Sequence, residues 1–230
     1  WNTPIEWATA HTSGLLLKNL VEKDMAGLLP REFWRKVYNI GNGKDARVTG
    51  YETLDRGFRM MGRGADEIFQ PERNASRNFH CMWFADSHVL NGYLDFQHEG
   101  FEAFFVRLER KLWYFKLGKP FPHLIKRFAI MRLLKTNNAP IFWVTHGLEK
   151  RIKAFFGSIE AYNRIPRRWK DFPLLCKNRN PETGAPLDYQ ALKDESSVAA
   201  KGLLLHHGYD ETKPAAQLDI TDMQQAAAFR

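Results

Sequence analysis

The hydrophobic pattern near the start of the chain predicts an amphipathic helix over residues 8–24. Apolar side chains recur there at helical spacing, at Leu15, Leu16, Leu17, Leu20 and Val21. Thr9 or Thr12 is a suitable N-cap, because a hydroxyl accepts a hydrogen bond from a free amide of the first turn. Gly27 and Pro30 follow the pattern and predict the end of the helix.

A change to β-branched and aromatic residues predicts a short strand at residues 36–40, with a sharp turn at 41–43. Residues 46–49 predict a second, weaker extended piece, and residues 51–61 predict a helix with one apolar face. A lone buried strand cannot satisfy its backbone groups. Either another segment pairs with residues 36–40, or another chain supplies the rest of the sheet.

The later chain is predicted to be mainly helical. The clearest pattern covers residues 99–117, with a wide apolar stripe made of Phe101, Phe104, Phe105, Leu108, Leu112 and Trp113. Residues 163–186 contain four prolines and predict a wrapping loop. Helical patterns also occupy the ranges 86–91, 122–135, 145–162, 187–205 and 219–229.

Charge changes this picture because it is unevenly placed. The chain has 230 residues, a length sufficient for one domain or two small ones, and its net charge is +8. Residues 107–170 hold 16 Lys and Arg and only three acids. Such a block would bind phosphates, nucleic acid or an anionic surface. The alternative interpretation is that these charges form solvated helix faces whose stems cover apolar surface.

Several classes of protein are excluded by what the sequence lacks. No apolar run approaches the roughly 18 residues of a membrane-spanning helix, so no membrane partner is expected. Cys81 and Cys176 are the only cysteines, which excludes a disulfide framework and suits the cytoplasm. His206 and His207 are adjacent and point apart, so no metal site is expected. There is also no Gly-rich dinucleotide loop, Walker loop, nucleophile elbow or HExxH.

Three segments of the first ~115 residues occur in an order typical of one family. Pro4-Ile5-Glu6-Trp7 precedes the first helix, Lys36 to Gly41 reads KVYNIG, and Asp86 to Phe96 reads DSHVLNGYLDF before the helix from Glu99. They resemble the C-terminal, substrate-binding part of the extended short-chain dehydrogenase/reductases, which include NAD-dependent epimerases and dehydratases. One departure is that Ala8-Thr9-Ala10 replaces the acidic residue that usually opens the first helix.

The resemblance implies a fold class and a division of the chain. It implies a mainly helical α/β fragment, with one or two short strands that would complete a Rossmann-type sheet, followed by a helical extension. Residues 1–117 would form the substrate-binding part, and residues 118–230 an extension of unknown role. The family's Rossmann half has no counterpart here. Tyr189 and Tyr209 each have lysine four residues later, but both follow the matching segments, whereas the resemblance implies a catalytic pair that precedes them. No catalytic residue is therefore assigned to this chain.

The resemblance also implies where the rest of the enzyme lies. Because the chain begins at Trp1, we expect it to be part of a longer protein whose N-terminal half, about 250 residues, is a Rossmann domain. That half would bind NAD or NADP and provide the catalytic pair. This chain alone would bind no cofactor and would contact a small-molecule substrate, such as a nucleotide-linked sugar or a related carbonyl or alcohol compound.

Six residues are candidates for substrate binding, namely Asn39, Gly41, Arg47, Arg77, His80 and Trp83. Asn39 and Gly41 lie where a strand is predicted to end, the usual place for ligands in open α/β sheets, and Arg47 follows the turn. Arg77 lies near the diphosphate-binding arginine that the resemblance implies, and an arginine fork suits a diphosphate. His80 and Trp83 offer rings for stacking. Each has a plainer alternative, as a turn, a solvated side chain or packing.

Two other functions remain open at the level of sequence. A basic helical module could bind nucleic acid or an acidic partner, although the resemblance makes nucleic acid the less favoured partner. The apolar stripe of residues 101–113 could instead mediate a homodimer. A reading frame upstream that encodes a GxxGxxG loop and Tyr-x-x-x-Lys would favour the enzyme over both.

Overall fold

The chain is a mainly helical α/β protein with one small sheet among its described residues. A computed structural model describes residues 1–76 and 81–194. Strand β1 (Pro4–Glu6) pairs antiparallel with β2 (Arg47–Thr49), and Ile5 lies opposite Val48. The helical character and the scarcity of strands confirm the expected fold class. Within the described part, no helix is long and apolar enough to cross a membrane.

Eleven helices follow one another in the described residues, and most of them are short. Their bounds are α1 Ala10–Met25, α2 Gly50–Arg59, α3 Ala65–Ile68, α4 Ser87–Leu94, α5 Phe101–Lys111, α6 Pro122–Ile125, α7 Met131–Leu133, α8 Pro140–Thr145, α9 Glu149–Phe156, α10 Ile159–Arg164 and α11 Tyr189–Leu192. A π-helical turn, Lys126–Ile130, joins α6 to α7, so the helix predicted over 122–135 is present but irregular. Longer 3-10 turns occupy Arg31–Arg35 and Trp113–Gly118.

Helix α1 confirms the first helix predicted from the sequence, including its cap. The Thr9 hydroxyl accepts a hydrogen bond from the Thr12 amide, and the Thr12 hydroxyl accepts one from the Thr9 amide. This reciprocal capping box satisfies two amides that would otherwise lack a partner. Leu16 then packs in a buried cluster with Phe33, Leu90, Leu94 and Phe96. The cap therefore directs the apolar face of α1 onto α4.

The strand predicted at residues 36–40 is absent from the described structure. This segment is extended at Lys36, yet it joins no sheet, and Val37 is 97% exposed. The two strands that do pair are residues 4–6 and 47–49. A β-branched sequence favours an extended backbone, but a strand forms only where a neighbour accepts and donates its hydrogen bonds. No described segment provides that neighbour for residues 36–40.

The single helix predicted over residues 145–162 is divided into α9 and α10. Gly157 separates them with a positive φ of 89°, a conformation that favours glycine. The Ser158 hydroxyl then caps α10 by accepting a hydrogen bond from the Ala161 amide. The two helices pack around Trp143, and this cluster also contains Ile152, Phe156, Tyr162 and Ile165. The break thus folds two short helices onto one core.

The proline-containing segment returns to the first part of the chain. Trp169 packs edge-on against Trp1 with ring centroids 5.0 Å apart, and its indole donates a hydrogen bond to the Phe69 carbonyl. Leu175 and Tyr189 are buried beside Trp83. The division at residue 117 stays a prediction, but residues 169–192 pack on its first part. Of the helix predicted at 187–205, only α11 lies in the described residues, and 219–229 lies outside them, as do His206 and His207.

Candidate functional site

A fully buried ion pair lies at one end of the small sheet. Glu6 and Arg47 are direct partners across β1 and β2, and their side chains are both 0% exposed. Arg47 Nε donates to Glu6 Oε2 over 2.9 Å. Two charges are seldom buried unless they are paired and hydrogen-bonded, because removing them from water costs several kcal/mol each. The sequence does not single out Glu6, although its ion pair with Arg47 connects several segments of the fold.

Backbone groups from three other segments complete this pair. Glu6 accepts hydrogen bonds from the Gly43 amide at 3.0 Å and from the Phe84 amide at 2.9 Å. Arg47 donates to the carbonyl oxygens of Phe84 and Lys193. The guanidinium and carboxylate therefore join both strands to the turn at residue 43, the loop at 84 and the segment after α11.

The loop that carries Asn39 and Gly41 is held against this pair. Gly41 is buried, and a Cβ atom placed on it would lie 2.1 Å from Glu6 Oε1. Gln97 Nε2 donates to the Gly41 carbonyl at 2.7 Å. Asn39 is exposed, and its amide donates to Asp86 Oδ1 at 2.8 Å. The structure thus brings Asn39 beside the start of α4, and Gly41 beside the buried ion pair.

The other four sequence candidates divide into two kinds. Arg47 is buried with Glu6 as described, and Trp83 is 2% exposed with its indole donating to the Val48 carbonyl at 3.1 Å. Trp83 therefore packs against the sheet, as its plainer alternative stated, and Arg47 holds the sheet through its buried ion pair. Arg77 and His80 lie outside the described residues. Substrate binding by any of the six residues stays a prediction.

Sequence reasoning missed a cleft beside β2. It has a volume of about 500 Å³ and is lined by α2, the start of α5 and residues after 175. Charged groups dominate its walls, including Glu52, Asp55, Arg56, Glu102 and Lys193. These residues are far apart along the chain and match no motif, so no local signal in the sequence could have assembled them.

Several hydrogen bonds hold the Glu52 carboxylate in this cleft. Its Oε2 accepts hydrogen bonds from the Tyr189 hydroxyl at 2.6 Å and from the Thr49 hydroxyl at 2.9 Å. Burial, followed by the charge of Glu52, raises the pKa of Tyr189, so the phenol stays a neutral donor. The Thr49 amide also donates to Glu52, as the capping box of α2 requires. Glu52 thus links α2 to α11.

Burial shifts the pKa values of two other groups of the cleft. Burial lowers the pKa of the Lys193 ammonium, whose Nζ lies 5.6 Å from the centre of the Tyr189 ring. Burial also raises the pKa of Cys176 to about 11, so this thiol is protonated at neutral pH and is a poor nucleophile. Arg56 binds Glu102 at 3.0 Å and also Glu109. The cleft therefore presents fixed hydrogen-bonding groups of both charges, an arrangement suited to holding a polar molecule.

No family model, curated protein or solved structure matches the chain, so the comparisons with known proteins assign it no function. In the described residues, no group of three or more His, Cys, Asp or Glu side chains could hold a metal ion.

Proposed function

We propose that this chain is the substrate-binding part of an NAD-dependent epimerase/dehydratase-like oxidoreductase of the cytoplasm. Its substrate is a nucleotide-linked sugar or a related small carbonyl or alcohol compound. The order of elements supports the proposal, because β1 and α1, the loop at 36–41, α2, α4 and α5 follow one another as the resemblance implies. One observation carries it furthest, and it concerns residues 36–40.

Residues 36–40 have the composition of a strand and lack the surroundings of one. Val37 and Ile40 are exposed, and no backbone hydrogen bond joins this segment to another described segment. A segment that is extended at Lys36 and exposes Val37 and Ile40 is a template for pairing with another strand. We infer that the Rossmann-type sheet of a cofactor-binding half takes up this segment as an additional strand, which would bury Val37.

The proposal divides the chemistry between two halves. The cofactor-binding half provides NAD(P), which accepts and returns a hydride, and the Tyr-x-x-x-Lys pair that moves the proton. This chain binds and orients the substrate with the groups that follow residue 38. Once residues 36–40 join a sheet, Asn39 and Gly41 lie at the end of a strand, beside the crevice where open α/β sheets bind ligands. Arg77 and His80 are proposed to contact the same substrate.

The pairing of residues 36–40 can be tested with Val37→Asp. In the 230-residue chain we expect the melting temperature to change by about 1 °C or less, because Val37 is exposed. In the protein that carries both halves, the same change buries a carboxylate and should lower the melting temperature by about 4 °C or more. Leu28→Asp is the matched control, since Leu28 is also exposed, and it should be tolerated in both proteins.

Two results would contradict the proposal. One is that Val37→Asp has the same small effect in both proteins, which would leave residues 36–40 unpaired. The other is a gene whose initiator methionine directly precedes Trp1, with no GxxGxxG loop or Tyr-x-x-x-Lys encoded upstream in frame.

A further inference from the structure

Positive charge is concentrated in the middle of the chain, mostly beyond the part that the resemblance covers. Residues 110–148 contain eight Lys and Arg and no Asp or Glu, since Glu109 and Glu149 flank them. A stretch of this length without an acid concentrates positive charge on one region of the protein. Within it we define the basic apolar segment as residues 111–133.

Large apolar side chains of this segment are exposed to solvent. Six of them are more than half exposed, namely Trp113, Leu117, Phe121, Leu124, Phe128 and Leu133. Leu124 and Phe128 lie four residues apart on one side of the helical stretch 122–133. Basic residues occur between them, and Arg127 lies over the Phe128 ring with its Cζ 5.6 Å from the centroid. Exposed apolar side chains concentrated in this way along the chain are typical of interaction sites.

The opposite side of the segment is attached to the rest of the protein. Phe115 packs beside the cluster that contains Val48, Met60 and Phe105. Lys126 Nζ donates to the Glu67 carbonyl at 2.9 Å, and Ile130 is buried. These contacts attach one side of the segment to the rest of the protein. The exposed apolar residues of the segment remain in contact with solvent.

We propose that the basic apolar segment binds the surface of a membrane that contains anionic lipid. Aromatic and aliphatic side chains enter the boundary between headgroups and acyl chains, while neighbouring Lys and Arg pair with lipid headgroups. Each basic residue near an anionic membrane surface adds attraction. The segment lies on the bilayer and does not cross it, which suits its short, interrupted helices. The expectation of no membrane partner rested on the lack of a spanning helix, which binding at the surface does not require. This inference is independent of the proposed enzymatic function.

Lipid fits this surface better than nucleic acid does. Three of the six exposed side chains are leucines, Leu117, Leu124 and Leu133, and they have no aromatic face on which a base could stack. Acyl chains accept aliphatic and aromatic groups alike. A bilayer can therefore take up both kinds of side chain, whereas a nucleic acid would leave the leucines without a partner.

Sedimentation with lipid vesicles tests the proposal. We expect the 230-residue chain to bind phosphatidylcholine vesicles that contain phosphatidylserine, and to bind pure phosphatidylcholine at least about tenfold more weakly. The double variant Leu117→Glu/Phe128→Glu should lower binding to the anionic vesicles by about tenfold or more. The control Met25→Glu/Leu28→Glu adds the same charge at exposed apolar positions outside the segment and should bind as the wild type does.

Four outcomes would overturn the proposal. Equal binding to both kinds of vesicle would remove the role of anionic lipid, and equal losses in both double variants would remove the role of the segment. Tighter binding to a duplex DNA oligonucleotide at the same salt, lost in the segment variant alone, would assign the surface to nucleic acid. A lipid-free dimer that dissociates only in the segment variant would assign it to a second copy of the chain. Unchanged melting temperatures confirm that both variants are folded.

Discussion

Arg47→Met is expected to lower the free energy of unfolding by about 3–5 kcal/mol, because it leaves the buried Glu6 carboxylate without its cation. Met has a similar reach and fills the space, so the loss comes mainly from the uncompensated charge. The backbone amides of Gly43 and Phe84 would still donate to Glu6. The carbonyl oxygens of Phe84 and Lys193 would lose their donors, which adds to the cost. Chemical denaturation of the wild type and the variant measures the difference.

Three further variants show whether the effect comes from the buried pair. In Glu6→Gln/Arg47→Met no unpaired charge remains, so the combined loss should be smaller than the sum of the losses in Glu6→Gln and Arg47→Met. Arg59→Met is the matched control, since Arg59 pairs with Asp55 at 2.6 Å but is largely exposed. Such a pair contributes about 1 kcal/mol or less. Equal losses for Arg47→Met and Arg59→Met would show that Arg47 is not buried with Glu6.

Gly41→Ala has the second largest expected effect. The added methyl group would lie 2.1 Å from Glu6 Oε1 and 2.6 Å from Glu6 Cδ, well inside van der Waals contact. Glu6 cannot move aside cheaply, because Arg47 and two backbone amides hold it. Either the carboxylate loses these partners or the loop carrying Asn39 shifts, and we expect a loss of about 2–3 kcal/mol.

Gly14→Ala is the control for this prediction. Gly14 lies inside α1 with no other side chain or segment within 4 Å of an added Cβ atom. There the change should stabilise the protein by about 0.5–1 kcal/mol, because alanine favours the helix. If both glycine variants were equally stable, the close approach of residue 41 to Glu6 would be wrong.

Local signals in the sequence predict the helices well and the sheet poorly. The cap at Thr9 and the apolar face of α1 are readable because they involve residues a few positions apart. The pairing of β1 with β2 joins residues about forty positions apart, and three-residue strands carry too little periodicity to reveal it. The break at Gly157 was also missed, since an isolated glycine in a helical pattern is often tolerated.

The candidate site could be predicted only in part, and for a similar reason. Arg47 stands in a polar stretch that gives no sign of burial, and its partner Glu6 precedes it by 41 residues. The 500 Å³ cleft combines Glu52 with Lys193, whose proximity depends on the return of the chain after residue 169. By contrast, Asn39 and Gly41 are two positions apart in the sequence, so local composition is enough to single out the loop that carries them.

The strand predicted at residues 36–40 differs from these cases. Its composition favours an extended backbone, and the described structure is extended at Lys36, yet the hydrogen-bonding partner is missing. The local preference for an extended backbone is therefore satisfied, but no described segment supplies the hydrogen bonds that a strand needs. Val37, 97% exposed in a segment rich in β-branched and aromatic residues, is the residue that most clearly calls for a partner strand.

Calorimetric titration tests the central claim, which is that this chain contributes the substrate site and not the cofactor site. We expect the 230-residue chain to give no heat of binding with NAD, and the protein that carries both halves to bind UDP-glucose, GDP-mannose or dTDP-glucose. In that protein Arg77→Ala should weaken sugar-nucleotide binding by about 1.5–3 kcal/mol through a lost charge-assisted contact, while Arg73→Ala should leave it unchanged. Micromolar binding of NAD by the 230-residue chain, or equal sugar-nucleotide affinities in the wild type and Arg77→Ala, would contradict the account.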